Sequence, residues 1–247
     1  MSPILDTLTA YFARVLPGLA LGAAMLVLAR RDPRLRIVLY LALFVLLRDA
    51  MTPLGLWSFG TQGFFWIRLS SDPVFLVVFG AASLGISLGV YYLDRGNRPL
   101  VRWTRGTVSA RLLWGVGGAA VVVSPLVAVY QFTPLESRGG PVPTSILPAI
   151  LVFAVLGNLL EETLFRGYVA GLFAQRMTPT RAGIASGVAF AFCHIYLATT
   201  VTGAGSPLLA FTLWEGVIAG LVWSKGGVIA STLTHGGAIF LLSSGLT

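Results

Sequence analysis

Residues 158–166 read Asn158-Leu-Leu-Glu161-Glu162-Thr-Leu-Phe-Arg166, a polar cluster inside an apolar stretch. On a helix, Glu162 and Arg166 are four apart, about 40° around the axis, and can pair directly. Glu161 is turned about 100° from Glu162 and points elsewhere. One carboxylate can thus be held by the guanidinium while its neighbour is left for chemistry, with Asn158 one turn earlier on the same general side. The chain has two histidines, His194 and His235, each inside its own apolar stretch. Histidine and glutamate together can position and deprotonate a water at neutral pH, which is hydrolytic chemistry. The plainer alternative is a buried Glu162–Arg166 pair that locks helices together, with two hydrogen-bonded core imidazoles. Both histidines falling in apolar stretches, with a carboxylate pair in a third, favours a shared polar site.

The elements that must position these groups are membrane helices. The 247 residues are 56% hydrophobic and 11% charged, with a mean hydropathy of +0.85. A soluble domain carries roughly a quarter charged residues, so a soluble globule is excluded. Apolar runs recur at about 8–29, 37–57, 73–93, 112–130, 146–171, 182–198, 207–223 and 228–244. The expected fold is therefore all-α: a polytopic membrane helical bundle of about eight transmembrane helices. A charge at mid-membrane costs on the order of 3 kcal/mol unless paired or hydrated, so Arg48, Asp49 and Glu215 also need a reason.

The net charge of +8 would point a soluble protein toward nucleic acid. Here the basic residues instead lie between apolar runs, and no nucleic-acid partner is expected. Twelve of them, from Arg30 to Lys225, fall in connectors on one side; Arg68 and Arg138 alone lie on the other. The positive-inside rule then places both termini outside the cytoplasm, with a bacterial inner membrane as the expected location. The first apolar run lacks the basic start of a secretory signal and is expected to be retained. Cys193 is a buried structural thiol on this reading. Glycines four apart, as at Gly18/Gly22, Gly85/Gly89, Gly167/Gly171, Gly183/Gly187 and Gly216/Gly220, are expected to let helices pack closely.

Glu161-Glu162-Thr-Leu-Phe-Arg166 matches EExxxR, and Phe190-Ala-Phe-Cys-His194 matches FxxxH, in that order on successive apolar runs. Together they resemble the CPBP family of CAAX-type intramembrane endopeptidases, which includes bacteriocin-processing and Abi-like proteins. Leu213-Trp-Glu-Gly216-Val-Ile-Ala-Gly220 is similar to the family's FxxGxxxG, with leucine for phenylalanine. His235 corresponds to the histidine of HxxxN or HxxxD, but Ile239 stands where the amide or acid is expected. No linker or repeat separates a second domain, so a single transmembrane domain over 1–247 is expected; the resemblance covers 146–247, which it implies is the catalytic core, with accessory helices in 1–130.

It further implies that Glu161 is the general base, that His194 holds and polarises the attacking water, and that His235 donates to the oxyanion. Glu162 and Arg166 would orient the site. Asn158, Thr234 and Ser231 are the candidates to replace the donor missing at Ile239, Asn158 first. The expected partners are the lipid bilayer and a membrane-anchored substrate: a CAAX-type tail, a bacteriocin or signal peptide, or a C-terminal sorting tail.

Zinc is the rival source of an activated water, since two histidines and a glutamate form a known hydrolase ligand set. HExxH is absent and each ligand would come from a different helix, so neither a metal nor another cofactor is expected. Two other classes remain open from the residues: a proton-coupled transporter or channel, since intramembrane Glu, His and Arg also mark ion paths, and a catalytically silent binding subunit, which Ile239 would explain.

Overall fold

The chain, seen in a computed structural model that describes residues 3–60 and 65–247, is a bundle of apolar helices. These are α1 (Pro3–Leu28), α2 (Pro33–Met51), α3 (Pro73–Leu93), α4 (Val108–Tyr130), α5 (Leu147–Glu162), α6 (Ala170–Phe173), α7 (Pro179–Phe192) and α8 (Gly205–Ser243). Local chemistry sets several starts. Asp32 accepts from the backbone amides of Arg34 and Leu35, and Asp72 from those of Val74 and Phe75. Thr178 accepts from the amide of Arg181, and Thr107 from that of Ala110. Asp32, Asp72 and Thr178 are each followed by proline at the first helical position, where its missing N–H costs nothing.

Glu162 passes directly into a π-helical turn, Thr163–Val169, which continues into α6, so 147–173 is one rod. A second π turn, Leu197–Val201, follows His194. Both lie beside residues of the polar cluster, the setting in which π-bulges recur.

The helix α8 is broken at Gly227, whose φ of 80° and ψ of −172° suit glycine alone. In one straight helix Glu215 and His235 would lie about 30 Å apart at 1.5 Å per residue. Their side chains are 3.5 Å apart. The chain therefore doubles back at Gly227 into two arms, α8a (205–226) and α8b (228–243). The loop before α4 closes this turn: the amides of Val228 and Ile229 donate to the carbonyls of Arg102 and Trp103, and that of Arg105 to Gly226. Among the described residues and counting α8 once, six helices are long and apolar enough to cross a membrane, and Phe12–Leu28 is a shorter apolar helix. The eight apolar runs read from the sequence correspond to these helices and arms, with 37–57 running past the end of α2 and 182–198 past the end of α7. Leu21, Val38, Leu113, Val116 and Val188 are exposed, as befits side chains that meet lipid.

The structure adds one element to the all-α expectation. Helix α2 stops at Met51 rather than running to 57, and Trp57–Gly60 (β1) pairs antiparallel with Trp66–Leu69 (β2). Trp57, Phe59, Phe65 and Ile67 are β-formers, and Phe65 stacks on Phe211 of α8a at 4.6 Å. The small-residue pairs are partly what they were expected to be. A Cβ on Gly187 would come within 2.5 Å of the Gly216 carbonyl, and Gly183 meets the backbone of Gly220, so α7 and α8a touch backbone to backbone. Gly85 and Gly89 meet nothing within 4 Å and make no such contact.

Candidate active site

Helix α5 and the turn after it present Asn158, Glu161, Glu162 and Arg166. Glu162 and Arg166 are fully buried, and the Arg166 Nη1 donates to Glu162 Oε1 at 2.6 Å. The other terminal nitrogen, Nη2, donates to the Gly216 carbonyl at 2.7 Å, a group brought within reach by the α7–α8a contact. The same Glu162 oxygen takes a hydrogen bond from His235 Nδ1 at 2.9 Å. His235 Nε2 lies 3.5 Å from Glu215 Oε2, so this imidazole stands between a carboxylate of α5 and one of α8a.

Phe190 is the shared wall of the cluster. Its ring lies under the Arg166 guanidinium at 4.9 Å and packs against His194 at 4.3 Å and His235 at 5.4 Å. His194 Nδ1 lies 2.8 Å from the Phe190 carbonyl. A carbonyl only accepts, so Nδ1 carries hydrogen in that bond, and a neutral His194 keeps a lone pair at Nε2.

A cavity of about 200 Å³ is lined by Glu161, His194 and His235, together with Asn158, Glu215 and Ile239. It has room for several waters. The three groups on which water activation depends thus share one space. Glu161 Oε2 is buried without a protein partner. Glu162 and Arg166 do not line the cavity; they stand behind it and fix His235. The hairpin contributes Trp57, Phe59, Phe65 and Ile67 to an apolar end, with Phe79 and Phe153. Among the described residues, no three His, Cys, Asp or Glu side chains are grouped to hold a metal ion.

The structure narrows the candidates for the donor missing at Ile239. The Ser231 hydroxyl donates to the Val228 carbonyl at 2.9 Å and the Thr234 hydroxyl to that of Gly115 at 3.1 Å, and neither lines the cavity. Asn158 does line it, and while one amide hydrogen goes back to Ala154 at 2.6 Å along its own helix, the second N–H is not committed by that bond. The residue that sequence reasoning left outside the site is Arg48. Its Nε donates to Asp49 at 2.8 Å and its Nη2 to the Cys193 carbonyl at 2.8 Å, and it forms part of the cavity wall. The signal was present, since an arginine in an apolar run requires a partner, but nothing in the spacing ties α2 to α7.

Residues 143–241 match the family model of the Rce1-like type II CAAX prenyl endopeptidases. No curated protein and no solved structure matches the chain. The matched stretch contains Asn158, Glu161, Glu162, Arg166, His194, Glu215 and His235, while Arg48 lies outside it. An integral membrane bundle with Glu161, His194, Glu215 and His235 around one cavity, and Glu162 and Arg166 behind it, fits an endopeptidase that works on membrane-associated protein. The EExxxR and FxxxH resemblance read from the sequence thus falls inside the stretch, 143–241, that is similar to the Rce1-like type II CAAX prenyl endopeptidases.

Proposed function

We propose that this protein is an intramembrane endopeptidase of the glutamate type, cleaving the tail of a membrane-anchored protein or peptide with a water activated by Glu161 and His194. The observation that carries this reading is the placement of Glu161, whose buried Oε2 has no protein hydrogen-bond partner, on the same cavity as both imidazoles.

A water in that cavity gives one hydrogen to the lone pair of His194 Nε2 and the other to Glu161. As its oxygen attacks the scissile carbonyl carbon, Glu161 takes the proton and later passes it to the departing amine as the C–N bond breaks. His235, carrying hydrogen on both ring nitrogens between Glu162 and Glu215 and anchored at Nδ1 by Glu162, donates from Nε2 toward the developing oxyanion. Glu162 and Arg166 act through His235 and are positioning residues.

Residues 146–247 carry the machinery in this reading, and α2, α3 and the hairpin complete the cavity wall within a single domain. Substrates in keeping with the family are CAAX-type prenylated tails, with bacteriocin, signal-peptide or sorting-tail substrates as wider options. The doubling back of α8 at Gly227 supports eight crossings. The twelve basic residues on one side support both termini outside the cytoplasm of a bacterial inner membrane.

The test is cleavage of an internally quenched farnesylated CAAX peptide by the purified protein in lipid nanodiscs. Glu161→Gln is nearly isosteric and removes no protein hydrogen bond at Oε2. It is expected to fold normally and to lose about 10²–10⁴ in kcat. Undiminished cleavage by Glu161→Gln would reject the mechanism.

A further inference from the structure

The donors on the cavity wall are few, and most are committed. His194 gives its Nδ1 hydrogen to the Phe190 carbonyl, Trp57 donates to the Thr52 hydroxyl at 3.1 Å, and Thr212 donates to the Leu209 carbonyl at 3.1 Å. Glu161 and Glu215, when ionised, can only accept. Ile239 puts hydrocarbon on the same wall. Hydrolysis puts a negative charge on the carbonyl oxygen, and His235 alone is a thin answer to it in a medium without bulk water.

Asn158 keeps a second amide hydrogen and Ser83 a hydroxyl on this wall, but among these remaining donors Arg48 is the charged one. It is 6% exposed, lines the cavity, and its Nη1 is buried with no hydrogen-bond partner. The other two nitrogens are held by Asp49 and by the carbonyl of Cys193, the residue immediately before His194. Those two bonds fix the planar guanidinium, and a buried charged N–H without an acceptor is costly unless something meets it. The backbone that places the water-binding imidazole therefore also places a preorganised cation. Resting on the endopeptidase reading, we infer that Arg48 Nη1 donates to the oxyanion of the tetrahedral intermediate, supplying from α2 the hydrogen bond that Ile239 cannot.

The experiment uses the full chain in nanodiscs with the farnesylated CAAX peptide, comparing wild type, Arg48→Gln, Arg48→Lys, Arg48→Gln/Ile239→Asn and Glu161→Gln. Arg48→Gln is expected to lose about 10²–10³ in kcat, as for removal of one oxyanion donor, with KM within about twofold. Ile239→Asn, adding an amide to the same wall, is expected to return at least about tenfold of the loss. A kcat unchanged in Arg48→Gln overturns the inference, and so does a raised KM at constant kcat, which would make Arg48 a ground-state binder of the peptide's terminal carboxylate. Absence of rescue in a folded double variant counts against it equally. If Arg48→Gln does not fold, Arg48→Lys decides: the loss of fork geometry should lower kcat about tenfold or more, and an unchanged kcat refutes the role. Failure of the wild type to cleave at all is a failure of the endopeptidase reading. Cleavage lost in Glu161→Gln but intact in Arg48→Gln defeats the Arg48 inference alone.

Discussion

Replacing Arg166 with methionine removes the guanidinium bonded to Glu162 while nearly keeping the side-chain volume. Glu162 would remain fully buried, with His235 as its remaining bonded partner, and the Gly216 carbonyl would lose its donor. Breaking a buried pair on one side costs about 3–5 kcal/mol, because the survivor keeps its desolvation penalty without the compensating charge. Removing both charges in Glu162→Leu/Arg166→Met takes away that penalty and leaves the unmet His235 Nδ1–H, a smaller cost of about 1–3 kcal/mol. The double variant is therefore expected to be more stable than Arg166→Met, yet inactive, since His235 has lost its anchor. Equilibrium unfolding in mixed micelles reads the stability, and hydrolysis of the quenched peptide reads the activity. Stability of Arg166→Met within about 1 kcal/mol of wild type, or a double variant less stable than the single one, would refute the claim that this pair is held together by mutual compensation.

The helix contact and the chain reversal are open to the same measurements. Gly187→Val drives a side chain into the Gly216 backbone, so α7 and α8a must separate; a loss of about 1–3 kcal/mol and a fall in cleavage are expected, because Gly216 also anchors Arg166. Gly85→Ala meets open space and should keep full activity, with stability unchanged or raised by up to about 1 kcal/mol. Gly227→Ala combines a glycine-only conformation with a Cβ 2.8 Å from the Arg102 and Trp103 carbonyls, and should cost about 1–3 kcal/mol with loss of cleavage as Glu215 and His235 are drawn apart.

Much of the bundle was legible because lipid enforces a simple code: apolar runs of helical length, separated by charged connectors. The Glu162–Arg166 pair was legible for the same kind of reason, since four-residue spacing brings the two groups together even where the backbone turns from α to π after Glu162. The π turns themselves have no local signature in the sequence. The hairpin was hidden because Trp57 and its neighbours are apolar enough to extend an α-helical run, and only the pairing with Trp66–Leu69 turns the segment into a strand. Arg48 announced itself as an intramembrane charge, but its assignment to the cavity depends on a hydrogen bond to Cys193, 145 positions away. Contacts of that span are set by tertiary packing alone.

The placement of charge explains how one segment can carry two adjacent glutamates with different duties. Consecutive residues on a helix face directions about 100° apart, so Glu162 can be turned into the packed interior while its neighbour meets the cavity. Inside, Arg166 and His235 satisfy one oxygen of Glu162, and the carbonyl of Gly216 ties the guanidinium to the next helix. That internal set would be inert without the reversal at Gly227, because α8b would then carry His235 far from both Glu162 and Glu215. The cluster behind the wall fixes an imidazole, while the face in front leaves Glu161 Oε2, the lone pair of His194 and Arg48 Nη1 without protein partners. Groups left in that condition inside a membrane are costly to maintain, and a water and a peptide carbonyl are the occupants that would satisfy all three: a donor for the carboxylate and the imidazole, an acceptor for the guanidinium.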